Sequence, residues 1–206
     1  MVKILSLDIS SKTGWSVGIA YEDKYELQSY GQIPKVEKPK LDYPHDYVSW
    51  AVQIAKPIID KIRIERADVI VIEETTKSQN NFSQKILEFT HYLVAEYIIQ
   101  NGLKSRYFMV GEWREAVGAR QTGAESKQNK LSKKIKDKTG KKIAKDENGK
   151  VLGKITKKHV NVRRVKEIFN LDFKLKDNDT CDGILLGYAY YQYTFKNFKR
   201  KNSKDE

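Results

Sequence analysis

The sequence predicts an α/β domain. It is built on a mixed five-stranded sheet, three antiparallel strands followed by two parallel ones, with flanking helices and a basic insertion. Three observations predict it. Short β-rich runs joined by tight turn chemistry open the chain. A continuous apolar run, Asp68-Val-Ile-Val-Ile-Glu73, reads as a buried central strand. Beyond the opening meander, segments of helical spacing alternate with strands.

In order, Lys3-Ile-Leu-Ser-Leu-Asp8 is the first strand and ends on an acid. Ile9-Ser-Ser-Lys-Thr-Gly14 has the composition of a turn. Trp15–Tyr21 and Tyr25–Tyr30 are the second and third strands, joined through Glu22-Asp23-Lys24 as a hairpin loop. Pro34–Pro44 is a Pro/Lys loop. His45–Arg66 has helical spacing through Val48, Val52, Ala55, Ile59 and Ile62, with Pro57 expected to kink or restart it. The buried fourth strand ends on Glu73 and Glu74, and alternation sends Glu74 to the face opposite Glu73. Phe82–Gln100 is an amphipathic helix through Phe82, Ile86, Phe89, Leu93 and Tyr97, stopped by Asn101-Gly102. Arg106–Val110 is the fifth strand and Gly111–Val117 a short helix.

Residues 119–158 differ: they are rich in Lys and poor in large apolar side chains. Asn148-Gly149 is a hairpin signal, so a protruding basic hairpin or arm is expected, an insertion over 119–157 in a single domain of 1–206. His159–Phe169 resumes helical periodicity, a loop over 170–177 follows, and a last helix runs through Asp177–Tyr191. Residues 199–206 read as a solvated tail.

The chain has 39 Lys and Arg against 27 Asp and Glu, a net charge of +12. That balance points to a polyanionic partner, nucleic acid or anionic lipid. No run reaches the length of a membrane span, and the first residues already read as a strand rather than a signal peptide. Cys181 is the single cysteine, so no intramolecular disulfide forms, and a reducing, cytoplasmic location is expected. One thiol and three scattered histidines exclude a zinc finger.

The acids carry the chemistry. Asp8 and Glu73 end two strands, and adjacent parallel strands place them side by side at one sheet edge. Asp179 and Asp182 are three apart, on one face of the last helix. Asp179 also suits a helix cap and Asp8 a turn with Ser10 or Ser11, so each acid alone has a structural reading. Four carboxylates that converge cannot all stay ionised without cations between them. Hard divalent ions with oxygen ligands relieve the repulsion. Two such ions about 4 Å apart serve in-line attack of water on a phosphodiester.

Ile4-Leu-Ser-Leu-Asp8-Ile-Ser-Ser-Lys-Thr-Gly14-Trp-Ser-Val, Val71-Ile-Glu73-Glu with Asn80-Asn81-Phe82, and Asp179-Thr-Cys-Asp182-Gly together resemble the RuvC-type Holliday junction resolvases, in particular bacteriophage members, within the ribonuclease H-like fold. The resemblance implies Asp8, Glu73, Asp179 and Asp182 as catalytic ligands for Mg2+ or Mn2+, and Lys158 as the basic residue near the scissile phosphate. It implies a homodimer, partly through the helix 82–100, that nicks four-way junctions, and possible forks, in symmetric pairs. Lys12, Lys77, Arg114, Lys157 and Lys158 are the candidate DNA contacts. Two features depart from the pattern. The Lys-rich insertion precedes Lys158, and Glu74-Thr-Thr-Lys77 lacks the aromatic that bacterial members carry after this Glu, with Phe82 the nearest. Three other readings stay open: a non-catalytic branched-DNA binder, an actin- or sugar-kinase-like ATPase half, and a nuclease for RNA–DNA hybrids.

Overall fold

The computed structural model describes residues 1–75, 81–134, 144–145 and 151–198. Alternation along the first strand, β1 (Val2–Asp8), decides how the layers form. Ile4 joins a core with Val69, Val71, Ile184 and Leu185. Leu5 and Leu7 join a second core with Ile70, Ile72, Ile54, Ile58 and Val94. The sheet therefore buries both faces.

β1 pairs antiparallel with β2 (Gly14–Ala20), which pairs antiparallel with β3 (Tyr25–Gln32). On its other side β1 pairs parallel with β4 (Val69–Glu73), and β4 pairs parallel with β5 (Ser105–Phe108). The order is β3-β2-β1-β4-β5, the mixed five-stranded sheet expected from the sequence.

Helices α1 (His45–Glu65) and α2 (Asn81–Gln100) cover the face of Leu5 and Leu7. Pro57 does not divide α1. Its buried stripe, Ala51, Ile54, Ala55, Ile58 and Ile62, runs past Pro57 on both sides, and that burial offsets the roughly 3 kcal/mol cost of an interior proline. The opposite face carries α3 (Val110–Ala116) and, after the insertion, two further helices.

The insertion is not all hairpin or arm. Gly123–Lys134 form a helix, α4. It docks by polar contacts: buried Asn129 donates through Nδ2 to the Ile155 carbonyl (2.7 Å) and accepts from the Ile155 N–H (2.8 Å), and Glu125 pairs with Arg163. Two short strands, β6 (Ala144–Lys145) and β7 (Val151–Leu152), pair antiparallel. The expected Asn148-Gly149 turn and the 199–206 tail lie outside the described residues. α5 (Lys157–Phe169) starts two residues before the periodicity suggested. His159 caps its start, its Nδ1 accepting from the Thr156 N–H at 3.1 Å.

The last helix, α6 (Asn178–Phe195), lies across β1, β2 and β3. Gly14 and Gly183 permit a backbone-to-backbone approach: a Cβ at Gly14 would lie 1.7 Å from the Asp179 carbonyl oxygen. Ser6 and Ser16 lock the contact, both hydroxyls donating to the Gly183 carbonyl at 2.7 and 3.2 Å.

Candidate active site

The parallel ladder between β1 and β4 ends at the pair Leu7–Ile72. Asp8 and Glu73 are the next residue on each strand. By alternation they follow Ser6 and Val71, so both project on the face covered by α6. Across the sheet Asp8 pairs with Gly14, the residue against which the start of α6 is seated. One close contact thus fixes Asp179 and Asp182 over the strand ends. Glu74 is exposed, as expected of the opposite face.

Two of the acids have hydrogen-bond support of their own. Glu73 Oε2 accepts from Trp113 Nε1 at 2.6 Å, and Trp113 is fully buried. Asp182, 9% exposed, accepts from two amides, Asn161 Nδ2 on Oδ1 and Asn178 Nδ2 on Oδ2, the latter at 3.0 Å. Arg114 lies over the Trp113 ring, 5.0 Å from its centroid.

The electrostatics report how near the acids come. Asp8 is pushed well above the carboxylate range, by burial first and then by Asp182, Glu73 and Asp179, against the pull of Arg114. Asp182 is pushed up to about 7 by burial, with Glu73 adding to it and Arg114, Asn161 and Asn178 opposing. Burial also raises Glu73, against Trp113, Arg114 and Lys157. The four predicted acids therefore share one field.

Among the described residues, no three such side chains stand at the spacing of ligands already gathered round a metal. Glu73 is held by the indole and Asp182 by the amides, and like charges resist closer approach. The donor set nonetheless fits a hard divalent cation. All four donors are carboxylates, they crowd with excess negative charge, and no thiolate competes, because Cys181 is fully buried and its thiol is pushed up to about 12.

The predicted cations divide. Arg114 acts on Asp8, Glu73 and Asp182 at once, so it belongs to the acid cluster as well as to any DNA contact. Lys157 and Lys158 are exposed in the first turn of α5, and Lys157 acts on Glu73. Lys12 is half-buried in the turn after Asp8, its N–H donating to Ser10 Oγ at 3.1 Å. Lys77 lies outside the described residues.

Sequence reasoning missed Asn161, Asn178 and the Trp113 indole as partners of the acids. A signal existed for one. Asn161 occupies the stripe that continues through Val165, Ile168 and Phe169, where an apolar side chain is expected.

No protein-family model and no curated protein sequence matches the chain. Solved structures do. Thermus thermophilus RuvC in complex with a Holliday junction substrate superposes with a TM-score of 0.60 at 9% identity, over 93% of this chain and 94% of that one. A second Thermus thermophilus RuvC structure gives 0.59 at 12% identity, over 95% and 96%. The chain has the RuvC fold. The yeast mitochondrial Holliday junction resolvase Ydc2 is also similar, with a TM-score of 0.53 at 12% identity, over 95% of this chain and 80% of that one. The RuvC fold accounts for nearly the whole of the described chain. Among the described residues no helix is long and apolar enough to cross a membrane.

Proposed function

We propose that the protein is a divalent-metal-dependent endonuclease that resolves four-way DNA junctions by paired, symmetric phosphodiester hydrolysis. One observation carries the reading. Carboxylates from two adjacent strand ends and from the start of α6 share one field on one face of the sheet. Similarity to RuvC structures, one of them holding a Holliday junction, supports the substrate class.

Asp8, Glu73, Asp179 and Asp182 would hold Mg2+ or Mn2+. The chemistry such a cation supplies is activation of a water nucleophile and neutralisation of charge on the leaving oxygen. Trp113 steadies Glu73 by its indole N–H. Lys157 and Lys158 face a bound phosphate from the first turn of α5, and Lys158 stabilises the charge that builds there in the transition state. Lys12, Lys77 and Arg114 contact the DNA backbone. Such contacts position the junction and give a steep salt dependence rather than base readout.

Two opposed nicks require two sites, so the active species is a homodimer. We assign the contact to α2, where Tyr92 is 58% and Ile99 77% exposed.

The test is a cleavage panel of junction, fork, duplex and RNA–DNA hybrid, each with Mg2+, with Mn2+ and with no metal. Wild type should nick the junction in pairs. Asp8→Asn, Glu73→Gln and Asp182→Asn should bind it and not nick. Variants that cut at the wild-type rate would falsify the acid assignment. Tight junction binding by wild type with no nicking in either metal would leave a binding protein of this fold.

A further inference from the structure

Two buried amides flank Asp182, and neither belongs to the acid set. Asn161 on α5 is 0% exposed, and Asn178 at the start of α6 is 5% exposed. Asn161 Nδ2 donates to one oxygen of Asp182, and Asn178 Nδ2 donates to the other at 3.0 Å. An ionised carboxylate can only accept, so both amides must turn nitrogen toward it. Their oxygens are then left over. Asn161 Oδ1 and Asn178 Oδ1 are both buried with no hydrogen-bond partner.

That arrangement is poor as packing alone. Burying an acceptor unpaired is costly, and here it happens on both sides of one carboxylate. A leucine at position 161 would continue the α5 stripe with no orphaned atom. What the amides achieve is orientation. They come from different helices, grip different oxygens, and fix the rotation of the carboxyl group. Each carboxylate oxygen keeps a lone pair, since one donor occupies only part of its acceptor capacity.

We propose that Asn161 and Asn178 are positioning residues, a two-sided clamp that presents Asp182 to a divalent cation, and that their free amide oxygens accept hydrogen bonds from water entering with that cation. The inference rests on the nuclease reading for its purpose, but metal binding tests it separately.

The experiment uses the full chain as wild type, Asn161→Leu and Asn178→Ala. Mn2+ affinity is read without DNA, from the electron-spin-resonance signal of the free ion. Junction nicking is then followed against Mn2+ concentration, and junction affinity is measured in EDTA. Loss of an outer hydrogen-bond partner of a ligand typically weakens metal binding by about 10–100-fold. Each variant should show that loss. The Mn2+ concentration for half-maximal nicking should rise in parallel, the rate at saturating Mn2+ should return close to wild type, and affinity in EDTA should not change.

Unchanged Mn2+ affinity in either folded variant overturns the clamp. So does a loss of rate that saturating Mn2+ fails to restore, because that is damage to the fold or to the chemistry. If Asn161→Leu does not fold, Asn178→Ala carries the same test from the more accessible side. A wild type that nicks nothing, yet loses Mn2+ affinity in both variants, refutes the nuclease reading and keeps the clamp.

Discussion

Gly14→Ala should disable the site without touching a charged group. Gly14 pairs with Asp8 across the sheet and lies beneath the first turn of α6. A methyl there would sit 1.7 Å from the Asp179 carbonyl oxygen, 2.2 Å from its carbon and 2.9 Å from the Thr180 nitrogen, whereas Cβ atoms essentially never come within 3.0 Å of another heavy atom. All three obstacles are backbone, so no side chain can swing aside. The start of α6 must retreat by more than about 1 Å, and a misplacement of that size costs roughly 100-fold in rate when it separates catalytic groups. The strain should also lower stability by about 1–3 kcal/mol, which for a chain of this length is roughly 2–12 °C in melting temperature. The assay is single-turnover nicking of a four-way junction in Mg2+, beside junction binding in EDTA and a thermal melt. Binding should persist, since the cationic surface is unchanged. If Gly14→Ala nicks at close to the wild-type rate, the seating of α6 on Gly14 does not position the acids.

Other perturbations follow from the same geometry. Trp113→Phe keeps the buried ring and removes the donor to Glu73; a hydrogen bond to a charged group is worth about 1.5–3 kcal/mol, so nicking at limiting Mg2+ should fall roughly 10–100-fold while binding in EDTA holds. Asp8→Asn should raise the melting temperature in EDTA at pH 8. Burial and three neighbouring acids penalise its charge, so the ionised group opposes folding, and the gain should shrink once Mg2+ is added to both proteins. His91 is held down to about 4 by burial, against a hydrogen bond to the Ile9 backbone. The unfolded chain therefore takes up a proton near pH 6.5 that the folded chain refuses, so this contribution is complete above pH 6.5 and lost as pH falls toward 4. It amounts to on the order of 3 kcal/mol. The fall in melting temperature between pH 7 and pH 4.5 should be smaller in His91→Gln than in wild type, and equal slopes would contradict the assignment.

The sheet was legible because its strands carry two distinct patterns. Period-two runs mark the meander, and the unbroken apolar run of β4 marks a strand covered on both faces. Parallel pairing of β1 with β4 then followed closely enough to place Asp8 beside Glu73. The α4 helix was not legible, because it lacks an apolar stripe and docks through Asn129 and Glu125, contacts that periodicity does not encode. The sequence offers Arg114 only as a DNA contact, since nothing local to a Trp-Arg pair reveals that it acts on three distant acids. Pro57 does not restart α1 for a related reason: tertiary burial on both sides of it outweighs a local rule.

The placement of α6 has a consequence for synthesis. A ribosome that has made only the meander and β4 has made Asp8 and Glu73, two acids on an unfinished sheet. Asp179 and Asp182 arrive more than a hundred residues after Glu73, and β1 and β2 lack their covering helix until then. On the nuclease reading, a nascent chain stalled before Asn178 lacks two of the four acids and the helix that seats them, and should not nick a junction.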